Sequence, residues 1–116
     1  MTSPETYWRD ALAQGRLLVQ RATGSGAIIF PPRLIEPGTG ETELEWIEAS
    51  GLGTVYSVTI VNQKPPAEPY NVVLVDLDEG ARVMSRVEGP GEIMIGLRVR
   101  ARIEQGDEPI LLFERT

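Results

Sequence analysis

Residues 44–61 read LEWIEASGLGTVYSVTIV. Apolar and polar side chains alternate through 44–49, SGLG at 50–53 interrupts the run, and TVYSVTIV at 54–61 resumes it with β-branched residues. Period-two alternation places successive side chains on opposite faces of a strand, and glycine inside such a pattern marks a bend. The spacing therefore predicts one long bent strand, or two collinear ones, kinked at the glycines. The same grammar continues downstream as YNVVLVDL at 70–77, the turn DEG, ARVMSRV at 81–87, the segment EGPGE, LRVRARIE at 97–104, the turn QGDEP and ILLFER at 110–115.

Five short strand units, the first long and glycine-kinked, fit a small closed Greek-key barrel of the OB type. A two-sheet sandwich needs about seven strands. Closure also removes the exposed edges that strands this apolar would otherwise present. The expectation is an all-β fold with a five-stranded OB-type barrel over residues 43–116.

Residues 1–42 have a different character. Ser3 and Pro4 read as an N-cap and first helical position, Tyr7, Trp8, Ala11 and Leu12 recur at helical spacing, and Gly15 stops the turn. RLLVQRA at 16–22 and AIIF at 27–30 read as two strands joined by the turn TGSG. FPPR then opens a loop to residue 42, since adjacent prolines cannot sit inside a ladder. The expected unit is a short helix plus a hairpin too small to make its own core.

The chain has 116 residues, 41% of them apolar, which is room for one compact domain and an appendage. It contains no cysteine and no histidine, so disulfides, thiolate nucleophiles, imidazole bases and the usual zinc ligands are excluded by inventory. A net charge of −6 opposes unselective attraction to nucleic acid or anionic lipid. The N-terminal residues lack the continuous apolar stretch of a signal peptide, and no run approaches the ~18 apolar residues of a membrane span. A cytoplasmic protein is the expectation.

Taken together, PETYW with its helix, GRLLVQR, FPPR, EWIEASGLGTVYSVTIV, PYNVVLVDLDEGARVMSRV and IGLRVRARIE resemble the domain of unknown function 35 family. The resemblance covers nearly the whole chain, and SGLGTVYS and the proline-rich loop before PYNVVLVDLDEG are its most specific parts. It implies an N-terminal helix and rubredoxin-like zinc ribbon followed by an OB-fold. It also implies a non-catalytic accessory role, in which the chain binds acyl-CoA, docks on a thiolase-like or hydratase-like subunit, or does both, in lipid-type metabolism. The family's four zinc-binding cysteine positions match Ala22, Ser25, Glu36 and Thr39 in this chain. These side chains cannot supply a tetrahedral thiolate or imidazole site, so a degenerate, metal-free ribbon and no cofactor are expected.

Several residues are candidates for contact with CoA or a partner. Arg98, Arg100 and Arg102 share one face of a strand, either as a phosphate clamp or as a solvated face balanced by acids. Ser50, Gly51 and Gly53 either admit a ligand close to the backbone or let the strand turn a corner. Arg33 stands on a rigid loop as a phosphate or carboxylate partner. Tyr56 and Tyr70 either line a groove for a pantetheine arm or fill the core. Asp76, Asp78 and Glu79 precede a turn glycine and read as hairpin chemistry. PGTGE at 37–41 lacks the lysine and the strand-to-helix setting of a phosphate loop. The alternative function is an OB-fold single-stranded nucleic-acid binder, against which stand the acidic charge and a total of two tryptophans, three tyrosines and two phenylalanines.

Overall fold

A computed structural model describes residues 3–35, 38, 40 and 42–116. The chain starts with helix α1 (Pro4–Ala13), capped by the Ser3 hydroxyl, which accepts the Thr6 N–H at 3.2 Å. It ends at Gly15, whose φ of +78° suits glycine as the residue that turns the chain. The helix buries Ala11 and Leu12. Trp8 donates its indole N–H to the Leu18 carbonyl at 2.9 Å and meets Phe30 edge-on, and Tyr7 stacks on Trp46 with ring centroids 5.0 Å apart. The aromatic stripe expected from the sequence thus packs against the strands that follow.

Strands β1 (Leu18–Ala22), β2 (Ile28–Ile29) and β3 (Leu44–Glu48) form an antiparallel sheet in the order β2–β1–β3. Here the structure differs from the expected long strand over 44–61. The first half of that run pairs with β1, Leu18 facing Glu48 and Ala22 facing Leu44, and the chain leaves the sheet at residues 49–51. Gly51 at φ +87° makes the turn, the Ser50 hydroxyl accepts the Leu52 N–H at 3.2 Å, and Glu79 Oε2 accepts the Ser50 N–H at 2.9 Å. The boundary expected between residues 42 and 43 consequently falls between strands of one sheet.

The remaining strands are β4 (Leu52–Val61), β5 (Tyr70–Leu77), β6 (Arg82–Ser85), β7 (Val87–Glu88), β8 (Arg98–Glu104) and β9 (Ile110–Arg115). They hydrogen-bond in the order β6–β5–β4–β8–β9–β7. The strand expected over 81–87 is divided at Arg86: β6 pairs with β5, whereas β7 runs parallel to β9 with Val87 beside Phe113. Ladder bonds therefore do not close this sheet, and its two ends are consecutive pieces of chain. Asn71 secures the step, donating from Nδ2 to the Val87 carbonyl and accepting the Val87 N–H at Oδ1, both at 2.9 Å. The Ser85 hydroxyl donates to the Leu111 carbonyl at 2.8 Å across the remaining gap.

One core joins the two sheets. Leu12, Leu17 and Val19 cluster with Val55, Val73, Val75, Leu77, Val83, Val87, Val99 and Phe113. Burial of this apolar surface against β4–β9 supplies what a helix and three short strands cannot generate alone. Leu34 and Ile35, in the segment that follows the two prolines, are exposed. Among the described residues no helix is long and apolar enough to cross a membrane.

Candidate functional site

The arginine face of β8 forms as the alternation predicts, with Val99 buried and Arg98, Arg100 and Arg102 outward. The three cations are not held as a clamp. Arg98 forks onto Asp78, Nη1 to Oδ1 at 2.7 Å and Nη2 to Oδ2 at 2.9 Å, and also reaches the Thr54 hydroxyl at 3.0 Å. Arg100 lies 3.8 Å from Glu114 and Arg102 3.9 Å from Glu104. Asp76 is likewise taken by Arg82 at 2.7 Å. Such exposed pairs fix side-chain direction more than they stabilise.

The hydrogen bonds from Arg98 hold the Asp78 carboxyl below its ordinary range. A carboxyl depressed in the folded state contributes stability above its unfolded pKa, and that contribution is lost as the pH falls through the folded value. Asp78→Asn is thus expected to lower the urea midpoint at pH 7 and to converge on the unsubstituted chain at acid pH, below the usual carboxylate range. An equal deficit at pH 7 and pH 3 would show that the pair carries none of the acid sensitivity.

Ser50, Gly51 and Gly53 stand together; Ser50 is exposed, whereas the two glycines are buried against protein. A Cβ on Gly51 would lie 3.2 Å from the Ala101 Cβ, and one on Gly53 would lie 2.7 Å from Val75 Cγ1 and 2.8 Å from the Asp76 carbonyl. The glycines serve close strand packing at the corner. Ser50 and Gly51 border a cleft of about 210 Å³ crossed by the Arg16–Glu48 ion pair at 2.9 Å. Glu79 completes this corner, with Oε2 on the Ser50 amide and Oε1 buried without a hydrogen-bond partner among the described residues.

The other candidates lie elsewhere. Tyr56 follows the buried Val55 at a register shift in β4 and faces outward, where the Arg82 guanidinium sits 3.6 Å over its ring. Arg33 is exposed and borders a cleft of about 220 Å³ with Tyr7, Leu34 and Trp46. Its backbone is gripped by the buried Gln20 side chain, which donates from Nε2 to the Arg33 carbonyl at 2.8 Å and accepts the Arg33 N–H at 2.6 Å. Arg33, Tyr70 and the Ser50–Gly51 pair therefore border three separate clefts.

The residues at the family's zinc positions do not fit a metal. Ala22 brings only a buried methyl group, and the Ser25 hydroxyl accepts the Ala27 N–H at 3.2 Å. Glu36 and Thr39 lie outside the described residues. Among the described residues no cluster of acidic side chains is arranged to hold a metal ion.

Sequence reasoning missed an apolar surface at the far end of the β4–β9 sheet. Tyr70 and Asn71 border two adjoining clefts, of about 350 and 390 Å³. Met84 and Ile110 line the first, Ile60 and Ile93 the second. Met84 was legible as an outward position, since it alternates with the buried Val83, but alternation does not distinguish a tolerated surface methionine from part of a patch.

The family model for the C-terminal OB-fold domain of ChsH2 matches residues 46–104. The chain is 32% identical to the DUF35 domain-containing scaffold protein of Methanocaldococcus jannaschii, over 91% of this chain and 83% of that protein. It is 37% identical to the probable enoyl-CoA hydratase alpha subunit of Thermomonospora curvata over 80% of this chain, yet spans only 31% of that subunit's length. Among solved structures it superposes on a chain of the Ltp2-ChsH2(DUF35) aldolase with a TM-score of 0.83 at 30% identity, covering 99% of this chain and 96% of that one.

Proposed function

We propose a function from one premise: this chain belongs to the DUF35 family of OB-fold proteins. It acts as a non-catalytic accessory subunit that docks on an enzyme subunit working on acyl-CoA esters, of thiolase-like or hydratase-like type, in lipid-type metabolism in the cytoplasm. The observation that carries this reading is the end-to-end superposition on a DUF35 chain that forms an aldolase together with Ltp2. In the same reading β6 and β7 are the two halves of one strand, and β4–β9 make up a five-stranded OB barrel.

The side-chain inventory agrees with the absence of chemistry on this subunit. Without cysteine or histidine a thioester nucleophile would be Ser or Thr, needing a carboxylate or lysine as its base. The single lysine, Lys64, sits in the loop between β4 and β5, and Asp76 and Asp78 are held by arginines. Docking is better supported than retention of CoA by this chain alone, because Arg98 already commits its guanidinium fork to Asp78. The nucleic-acid alternative gains nothing from the structure: Tyr56 is capped by Arg82, and the β8 cations are each beside an acid.

A tagged copy purified from its native cell is expected to bring down an acyl-CoA enzyme subunit in stoichiometric amount. Recovery of this chain alone, or thioester hydrolysis by the purified chain, would overturn the reading.

A further inference from the structure

We propose that the apolar surface around Tyr70 is the face by which this chain docks, and that the partner surface it accepts is an apolar patch flanked by lysine and arginine. The proposal rests on the accessory-subunit reading and says where and by what chemistry the docking occurs.

The surface exists because of the gap in the sheet. No ladder joins β6 to β9, so Met84 and Ile110 open onto the same groove from its two sides, with the Ser85–Leu111 hydrogen bond at 2.8 Å spanning it. Met84 is 70% exposed, Ile60 57%, Ile110 51% and Tyr70 40%. A contiguous apolar surface of this kind is uncommon on a soluble chain, whereas single exposed apolar residues are not. Its floor is rigid, since Asn71 is held by both of its hydrogen bonds to Val87.

Charge identifies the occupant. Eight arginines are engaged with carboxylates: Arg9, Arg16, Arg21, Arg82, Arg86, Arg98, Arg100 and Arg102. Of the described carboxylates outside those pairs, Glu68, Glu92, Asp107 and Glu108 lie in or next in sequence to the segments that form the apolar surface, whereas Asp10 and Glu79 lie elsewhere. Glu92 lines the second cleft, Glu68 lies two residues before Tyr70, and Asp107 and Glu108 lead into Ile110. These acids give the apolar centre an acidic rim, and Arg86, which also lines the first cleft, is paired with Glu88 at 2.7 Å. Such a rim repels the phosphates of CoA or of a nucleic acid and steers a basic protein surface.

The test uses the full chain and the enzyme subunit that co-purifies with it. Affinity and association rate are measured by surface plasmon resonance for Met84→Lys, Ile110→Lys, the double reversal Glu68→Lys/Glu92→Lys, and Ile95→Lys. Ile95 is 69% exposed yet borders neither cleft, so it controls for an added charge elsewhere. Circular dichroism confirms that each variant is folded. Met84→Lys and Ile110→Lys are each expected to weaken binding at least about 10-fold, as desolvated anchor residues do. The double reversal should slow association about 10-fold at low salt, with the deficit closing at high salt, while Ile95→Lys should change neither quantity. Unchanged affinity for both Met84→Lys and Ile110→Lys, while the unsubstituted chain still binds, would overturn this surface and leave the accessory role standing. Faster association after charge reversal would overturn the basic rim of the partner. If the unsubstituted chain binds no enzyme subunit, the accessory reading fails and this surface with it.

Discussion

Gly53→Ala is expected to lower the stability of the chain by about 1–3 kcal/mol and its melting temperature by roughly 4–12 °C. The new methyl carbon would stand 2.7 Å from Val75 Cγ1 and 2.8 Å from the Asp76 carbonyl oxygen. A side-chain carbon can swing aside, but the carbonyl belongs to β5, which pairs with β4 from Gly53 to Val61. Relief therefore requires the two strands to separate where the core residues Val55 and Val75 face one another. Gly106→Ala is the control. Its added methyl would meet nothing closer than the Glu108 carbonyl at 3.9 Å, so the smaller unfolded-state entropy should leave it neutral or more stable by up to about 1 kcal/mol. Had Gly53 been kept free of a side chain for a ligand, alanine there would weaken binding and spare the fold. Matching denaturation curves for the two variants would therefore remove the packing explanation.

This corner shows what the sequence could and could not convey. The helix over residues 4–13 was legible because its signals are local: the Ser3 cap, proline at the first position and the stop at Gly15. The β5–β6 turn and the two faces of β8 were legible for the same reason. Pairing was not. Alternation over residues 44–49 fixes which side chains share a face, but it carries no signal for the neighbouring strand, and β3 takes β1 as its partner. The step at Arg86 was hidden likewise, since ARVMSRV reads as an unbroken strand and only the Asn71 clamp, 16 residues away, reveals the break. Tyr56, left open between a groove and the core, points outward because Gly53 and Val55 take the inward positions of β4. The candidate ligand residues scattered for a related reason. Arg33, Tyr70 and Ser50 suit anion or aromatic recognition individually, but a composite site depends on tertiary proximity, and they border separate clefts.

Gln20→Ala is expected to cost about 2–3 kcal/mol, because two backbone groups lose their partners together with a buried amide. Gln20 is 4% exposed, the one polar side chain buried among the core residues described. It lies in β1 between Val19 and Arg21, where a glutamine reads as an ordinary outward residue, but its amide spans 13 positions to hold the Arg33 N–H and carbonyl. The clamp ties β1 to the segment that follows the two prolines, and these are the parts that zinc joins in cysteine-bearing ribbons of the family resemblance. Hydrogen bonds from one amide are weaker than four metal–thiolate bonds, so the helix and β3 must contribute as well, through Tyr7 on Trp46 and Trp8 on Phe30. Trypsin reads the clamp directly, since it cleaves after Arg33. Local opening by about 1.4 kcal/mol or more should speed that cleavage at least about 10-fold in the alanine variant. Gln20→Glu keeps the acceptor for the Arg33 N–H but buries a charge and sets its second oxygen against the Arg33 carbonyl, so at neutral pH it should open the segment at least as much as alanine does. If cleavage after Arg33 is as slow in Gln20→Ala as in the unsubstituted chain, the amide does not hold this segment, and the N-terminal sheet is secured by its aromatic contacts instead.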